Sequence, residues 1–129
     1  MPDRKNSLKI ELIINCKGVL FAMDIKDWQK EVDNWISQFE EGYWQPSSMM
    51  LRLIEEVGEL AREVNHHYGE KPKKPSEQEG DLALEMADIL FIIICMANSL
   101  QIDLEKSFEE MMEKYRLRDS NRWARKQPE

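Results

Sequence analysis

Cysteine is scarce in this chain, with two among 129 residues, and so few exclude a disulfide framework. Cys95 lies inside Ile92-Ile93-Ile94-Cys95-Met96, where a thiol behaves as a small hydrophobe. The pattern points to a reducing compartment, the cytoplasm. Long apolar runs are also missing: the longest, Ile89 to Ala97, is about half of the roughly 18 to 20 residues that span a bilayer, so no membrane partner is expected. Basic charge is the minority, 18 Lys and Arg against 25 Asp and Glu for a net charge of −7. A chain of that balance lacks the broad basic face of a general nucleic-acid binder. There are 2 histidines, and neither completes a Glu-x-x-His pattern with an acidic motif, which argues against a di-iron bundle site.

What the chain has instead is two acidic motifs set in very apolar helical patterns. The first is Glu55-Glu56-Val57-Gly58-Glu59, flanked by Leu53, Ile54, Leu60, Ala61 and Val64; the second is Glu85-Met86-Ala87-Asp88, flanked by Leu82, Leu84, Ile89, Leu90 and Ile93. Residues three apart share a helix face, which pairs Glu56 with Glu59 and Glu85 with Asp88. Antiparallel packing of the two helices makes the pairs converge. Four anions in a partly dry cleft repel one another and resist ionising, and a hard divalent cation with oxygen ligands resolves that repulsion. A single ExxE on an amphipathic helix is ordinarily solvated surface. Two such motifs, each against an apolar helix and separated by one loop, carry more weight.

With Gly58-Glu59-Leu60 and Asp88-Ile89-Leu90-Phe91 around them, these motifs resemble the signature of the MazG-like nucleotide pyrophosphohydrolases. That family belongs to an all-α superfamily with dimeric dUTPases and phosphoribosyl-ATP pyrophosphohydrolases. The resemblance runs from about Asp24 to Arg125. It implies an all-α, four-helix bundle-like subunit assembling as a dimer or a dimer of dimers, thus a homodimer or homotetramer. It further implies magnesium, with manganese as a substitute, and cleavage of a nucleoside triphosphate to monophosphate and pyrophosphate. By the same resemblance Glu56, Glu59, Glu85 and Asp88 are the metal ligands. Glu55 is a group behind them, a ligand to another ion, or the base that orients water.

The rest of the chain organises around that stretch. Residues 1–22 read as an N-terminal extension, with weak strand alternation over Leu8 to Ile14, and Met23 as a candidate initiator of a helical domain over 23–129. A first helix is expected from Ile25 to Gln38 with its cap at Asp24 or Asp27, burying Trp28, Val32, Trp35, Ile36 and Phe39. Gly42 and Pro46 break it, and Ser47 or Ser48 offers the cap of a second helix ending near His67. Trp44, just upstream of the acidic helix, is placed to stack on a base; Trp35 and Phe39 are further candidates. Gly58 costs roughly 1 kcal/mol in a helix interior, which suggests close approach of a backbone or ligand. Arg62 can reach a phosphate or pair with Glu55 or Glu59. His66 and His67 lie about two turns past Glu59 and read as solvated or capping.

Residues 69–80, rich in Pro, Gly and mixed charge, form a loop in which Lys71, Lys73 and Lys74 can attract phosphates. A third helix from Asp81 to Ser99 is apolar on most sides and should be the most buried. A fourth begins near Asp103 and ends in a locally basic stretch, where Lys114, Arg116 and Arg118 either meet substrate phosphates across an interface or complement the helix dipole. Two alternatives stand beside the hydrolase: a related pyrophosphohydrolase for dUTP, dCTP or a phosphoribosyl nucleotide, and a non-catalytic scaffold or regulatory protein with a structural divalent cation.

Overall fold

Aspartates open three of the helices. The Asp24 carboxylate accepts from the Asp27 N–H while the Asp27 carboxylate accepts from the Asp24 N–H, a reciprocal cap that satisfies donors the first turn leaves free. Asp81 accepts from Ala83 and Leu84, and Asp103 from Lys106. The computed structural model of the chain describes residues 13–14, 20–21 and 23–128. In chain order the elements are β1 (Ile13–Ile14), β2 (Leu20–Phe21), α1 (Ile25–Ile36), α2 (Pro46–Tyr68), α3 (Leu82–Ser99) and α4 (Leu104–Asp119). The two short strands pair antiparallel, Ile13 with Phe21 and Ile14 with Leu20. The rest of the segment read as an extension, residues 1–12, 15–19 and 22, lies outside the described residues.

The helical expectation is met, with boundaries displaced: α1 stops at Ile36, short of Gln38. α2 starts at Pro46 rather than at a serine cap, and its N-cap Gln45 makes no side-chain bond. Proline at the first helical position has no N–H to satisfy and a fixed φ suited to the helix, so the capping serine is unnecessary. α3 stops at Leu100, and Gln101 turns the chain with a φ of 57°, the left-handed conformation that closes many helices.

α3 is the spine: it packs on α2 and on α1, while α4 leans on α1. Val32 of α1, Met49 of α2 and Ile92, Ile94 and Cys95 of α3 form the core, joined by Ile36, Tyr43, Leu53, Met96 and Leu104 at its edge. Each such side chain taken fully out of water contributes roughly 1.5–3 kcal/mol. A polar clamp backs this core. Gln29 donates to Asn98 Oδ1 at 3.0 Å and to the Ile102 carbonyl at 2.9 Å, and accepts from the Leu104 N–H at 3.0 Å, joining α1 to the α3–α4 turn.

Two burial expectations fail within the subunit. Of the α1 stripe only Val32 is buried; Ile36 is partly covered, and Trp28, Trp35 and Phe39 are exposed. α3 is buried only over its second half, for Leu84, Met86, Leu90 and Phe91 are exposed, Leu84 at 63%. Periodicity identifies an apolar face without saying what covers it. By length and composition α3 is long and apolar enough to cross a bilayer, although no uninterrupted apolar run is; Glu85 and Asp88 interrupt it on the face turned to α2.

Candidate metal centre and adjoining cavity

α2 and α3 run antiparallel, with Glu63 beside Gly80, Glu59 beside Glu85, and Glu56 close enough to Asp88 to feel its charge. Carboxylate oxygens of Glu56, Glu59 and Glu85 all lie within 4.8 Å of one another, a spacing at which oxygens can ligate one small cation. Glu56 is 2% exposed. Its Oε2, and Oε2 of Glu85, are buried without a hydrogen-bond partner among the described residues. Such orphaned acceptors are costly unless something positive meets them, so the donor set fits a hard divalent ion. Asp88 is exposed and is not one of the three carboxylates that gather.

The electrostatics follow from the geometry. Burial pushes the Glu56 carboxyl above its ordinary range; Arg52 opposes the shift, and Glu59, Asp88 and Glu55 add to it. Burial likewise raises Glu85, reinforced by Glu59, Glu56, Asp88 and Glu63. Both carboxyls thus resist the charge that a metal would favour. Arg52, one turn before Glu56, forms an ion pair with it and a second with Glu55 at 2.9 Å. Glu55 itself points to solvent, beside Arg52 and outside the gathered oxygens.

A cavity of about 370 Å³ opens from this group, lined among others by Glu56, Asp88 and Arg52 at one side and by Phe39, Tyr43, Trp44 and Phe91. Gly42, with a φ of 62°, makes the turn that presents Tyr43 and Trp44. Tyr43 is held by a donated bond to Asp33 at 2.7 Å and accepts one from Asn98 at 3.0 Å. Burial first, then the Asp33 bond, push its hydroxyl up to about 12, so it stays a neutral donor. Cys95 lies in the cavity wall, and burial pushes its thiol up to about 11. Mostly apolar walls with a few polar groups at one end are the usual form of a small-molecule site.

Among the sequence candidates, Phe39 and Trp44 line the cavity and Trp35 does not, packing edge-on against Phe39 at 5.2 Å. Arg62, Lys114 and Arg118 lie off the cavity lining in the subunit. Arg118 pairs with Asp119 at 2.8 Å and sits over the Tyr115 ring. Gly58 has no tight neighbour: a Cβ there would meet nothing within 4 Å among the described residues, so close approach inside the subunit does not explain it. His66 is not solvated, since its side chain is 3% exposed and its Nε2 lies 3.7 Å from Glu77; loop 69–81 folds back over it.

Sequence reasoning passed over Arg52, Tyr43, Phe91 and Glu63. A signal existed for two of them. Arg52 precedes Glu56 by four residues, and Glu63 follows Glu59 by four, so both share the acidic face of α2.

Comparison with known proteins gives a consistent set. Residues 44–123 match the family model of the MazG nucleotide pyrophosphohydrolase domain. The chain is 54% identical over 103 residues to the protein YpjD of Bacillus subtilis (strain 168), across 80% of this chain and 93% of that one. The crystal structure of YPJD from Bacillus subtilis superposes with a TM-score of 0.65 at 54% identity, covering 72% of this chain and 95% of that one. A Bacillus-conserved MazG protein described as a nucleotide pyrophosphohydrolase matches with a TM-score of 0.65 at 52% identity, over 77% of this chain and 96% of its own.

Proposed function

The chain belongs to the MazG nucleotide pyrophosphohydrolase family, hydrolases acting on nucleotide pyrophosphate bonds, and on that basis we propose that it is a magnesium-dependent nucleoside triphosphate pyrophosphohydrolase releasing a nucleoside monophosphate and pyrophosphate. One observation carries the reading: Glu56, whose carboxylate gathers with those of Glu59 and Glu85, also lines an aromatic cavity together with Asp88. A purely structural cation in a scaffold protein has no need of such a cavity, which sets the catalytic reading ahead of the scaffold one.

Glu56, Glu59, Glu85 and Asp88 would hold the metal, and manganese could replace magnesium because both are hard and accept oxygen ligands. When bound, the ion neutralises the charge that builds on phosphate oxygens and lowers the pKa of a coordinated water. The protein supplies position. Trp44 and Phe39 offer faces to a base, while Tyr43, its hydroxyl fixed by Asp33 and Asn98, shapes the cavity wall between them. Arg52, paired with Glu56 at the cavity edge, would be the cation nearest a phosphate held there. Catalysis of phosphoryl chemistry is chiefly this kind of positioning and electrostatic stabilisation.

The apolar side chains left exposed on α1 and α3 support a homodimer or homotetramer, since a contiguous exposed apolar surface marks an interface. In that assembly Lys114 and Arg118 would approach a neighbour's carboxylates and Arg62 would meet phosphate at the edge. The setting is cytoplasmic, with no nucleic-acid or membrane partner. The test is pyrophosphate release from a panel of nucleoside triphosphates with and without magnesium. Release that needs the metal, with monophosphate as co-product, is expected; metal binding without turnover of any member would favour the scaffold reading.

A further inference from the structure

Glu63 is the second buried carboxylate of α2, 3% exposed, and no role falls to it in the metal site as drawn. Its Oε2 has no hydrogen-bond partner among the described residues, yet Lys73 Nζ stands 3.6 Å away and His67 Nε2 3.7 Å away. A charge this deeply buried persists only when paired, and here a cation from loop 69–81 comes down to pair it. The same carboxylate packs on the backbone of Gly80, so closely that a Cβ built on Gly80 would fall onto it. The loop is pinned a third time where Glu77, which accepts from the Lys74 N–H at 2.9 Å, approaches the buried His66.

These anchors occupy the turns of α2 directly after Glu59. Gly80 precedes Asp81, the cap that starts α3, and Glu85 stands one turn into that helix. Whatever sets Gly80 therefore sets the phase and height of Glu85. Glu63 with His66 has the spacing of a ligand pair, but among the described residues the oxygens that gather for an ion are those of Glu56, Glu59 and Glu85. Lys73 and His67 face Glu63 instead.

We propose that Glu63 is a positioning residue for the metal site: its buried carboxylate, seated on Gly80 and paired with Lys73, fixes where α3 begins and so holds Glu85 opposite Glu59. The inference rests on the metal reading given above. It explains Gly80 as a close-approach glycine and gives the loop a task beyond connection.

The test is Mn2+ binding by the full chain, measured by calorimetry alongside the thermal midpoint, for wild type, Gly80→Ala, Glu63→Ala, Glu63→Gln and the Glu63→Ala/Gly80→Ala double variant. The expectation is that Gly80→Ala and Glu63→Ala each weaken Mn2+ about tenfold or more, a 1.4 kcal/mol change per factor of ten, with the number of ions bound unchanged. Glu63→Gln, which keeps the shape that seats on Gly80, should recover part of that loss. In the double variant the methyl group added at position 80 enters the space left by the Glu63 side chain, so binding should match Glu63→Ala alone rather than the product of the two losses. A lowered midpoint with unchanged Mn2+ affinity would make Glu63 merely structural and overturn the proposal. So would additive losses, or the loss of one bound ion, which would make Glu63 a ligand. If Glu63→Ala does not fold, Gly80→Ala and Glu63→Gln decide by the same readout. Wild type that binds no Mn2+ at all refutes the metal reading itself and takes this proposal with it.

Discussion

The guanidinium of Arg52 lies against Oε1 of Glu56, while Oε2 of the same buried carboxylate has no partner among the described residues. Half of this anion is thus answered by the protein and half is left for something else. Arg52→Met should lower the stability of the metal-free protein by about 1–2 kcal/mol, because it leaves Glu56 buried and unpaired; the value is well under that of a fully buried pair because Arg52 is half exposed. Adding Glu56→Gln to the same chain should restore most of the loss. Chemical denaturation of the two single variants and the double reads this directly, and a double variant weaker than Arg52→Met would contradict it.

Acidity should strengthen the metal-free fold before it weakens it. Glu56 and Glu85 are raised chiefly by burial, so they hold protons more tightly folded than unfolded. Such groups contribute stability that is complete below the unfolded carboxyl pKa of about 4.3 and is lost as pH rises through the folded value. Glu77 and Asp119 are lowered, Glu77 chiefly by the Lys74 backbone bond and Asp119 chiefly by Arg118; their contribution is present at neutral pH and lost as pH falls through their folded values. The thermal midpoint of the metal-free protein should therefore rise as pH falls from 7 toward 5 and drop at lower pH. Ligation displaces protons, so the increment that magnesium adds should shrink over the same range. A metal-free midpoint that falls steadily from pH 7 would count against the buried cluster.

Trp44 is half exposed at the cavity mouth, and a base stacked on it would contribute roughly 1–3 kcal/mol. Trp44→Ala should raise KM about tenfold with kcat within about twofold, the signature of binding lost equally from ground and transition states. Steady-state kinetics on the preferred triphosphate distinguish this from a fall in kcat alone, which would move Trp44 out of the base site.

The four helices and their order were legible because the chain states its starts: Asp24, Asp81 and Asp103 are caps in the sequence and in the structure. The start of α2 was less legible because Pro46 takes the place of a serine cap. The burial of Trp28, Trp35 and Phe39 was misjudged for a different reason. Period 3.6 tells which residues share a face, and a single chain does not tell which other helix, or which other subunit, covers it. The carboxylates that gather, Glu56, Glu59 and Glu85, were legible from spacing because two short motifs on adjacent antiparallel helices must meet. Glu63 was not, since a lone glutamate on an amphipathic helix looks like solvated surface until a loop is seen to fold over it. The cavity was legible only at Trp44 and Phe39; Tyr43 depends on Asp33 and Asn98, which are 10 and 55 residues away in sequence.

A site shared between subunits, as proposed for Arg118, has its own test. Arg118 lies off the subunit's cavity, paired with Asp119, so a role for it requires a neighbour. An inactive Asp88→Asn protein mixed with an inactive Arg118→Ala protein should recover part of the wild-type rate after subunit exchange, because mixed assemblies contain a site with neither lesion. A monomer by sedimentation at micromolar concentration, with no recovery on mixing, would remove Arg118 from the site.

Glu56, Glu59, Glu85 and Asp88 are the residues proposed to hold the ion on which hydrolysis depends. The most direct measurement is magnesium-dependent pyrophosphate release by wild type, Glu59→Gln and Asp88→Asn, with the thermal midpoint of each metal-free protein taken in parallel. Removing one anion from a repulsive group relieves the empty site but deletes a ligand. Each variant should lose at least about a hundredfold in rate, near 2.7 kcal/mol of transition-state stabilisation, while its midpoint stays level or rises. Turnover at the wild-type rate in either variant, with magnesium still required, would contradict that ligand set.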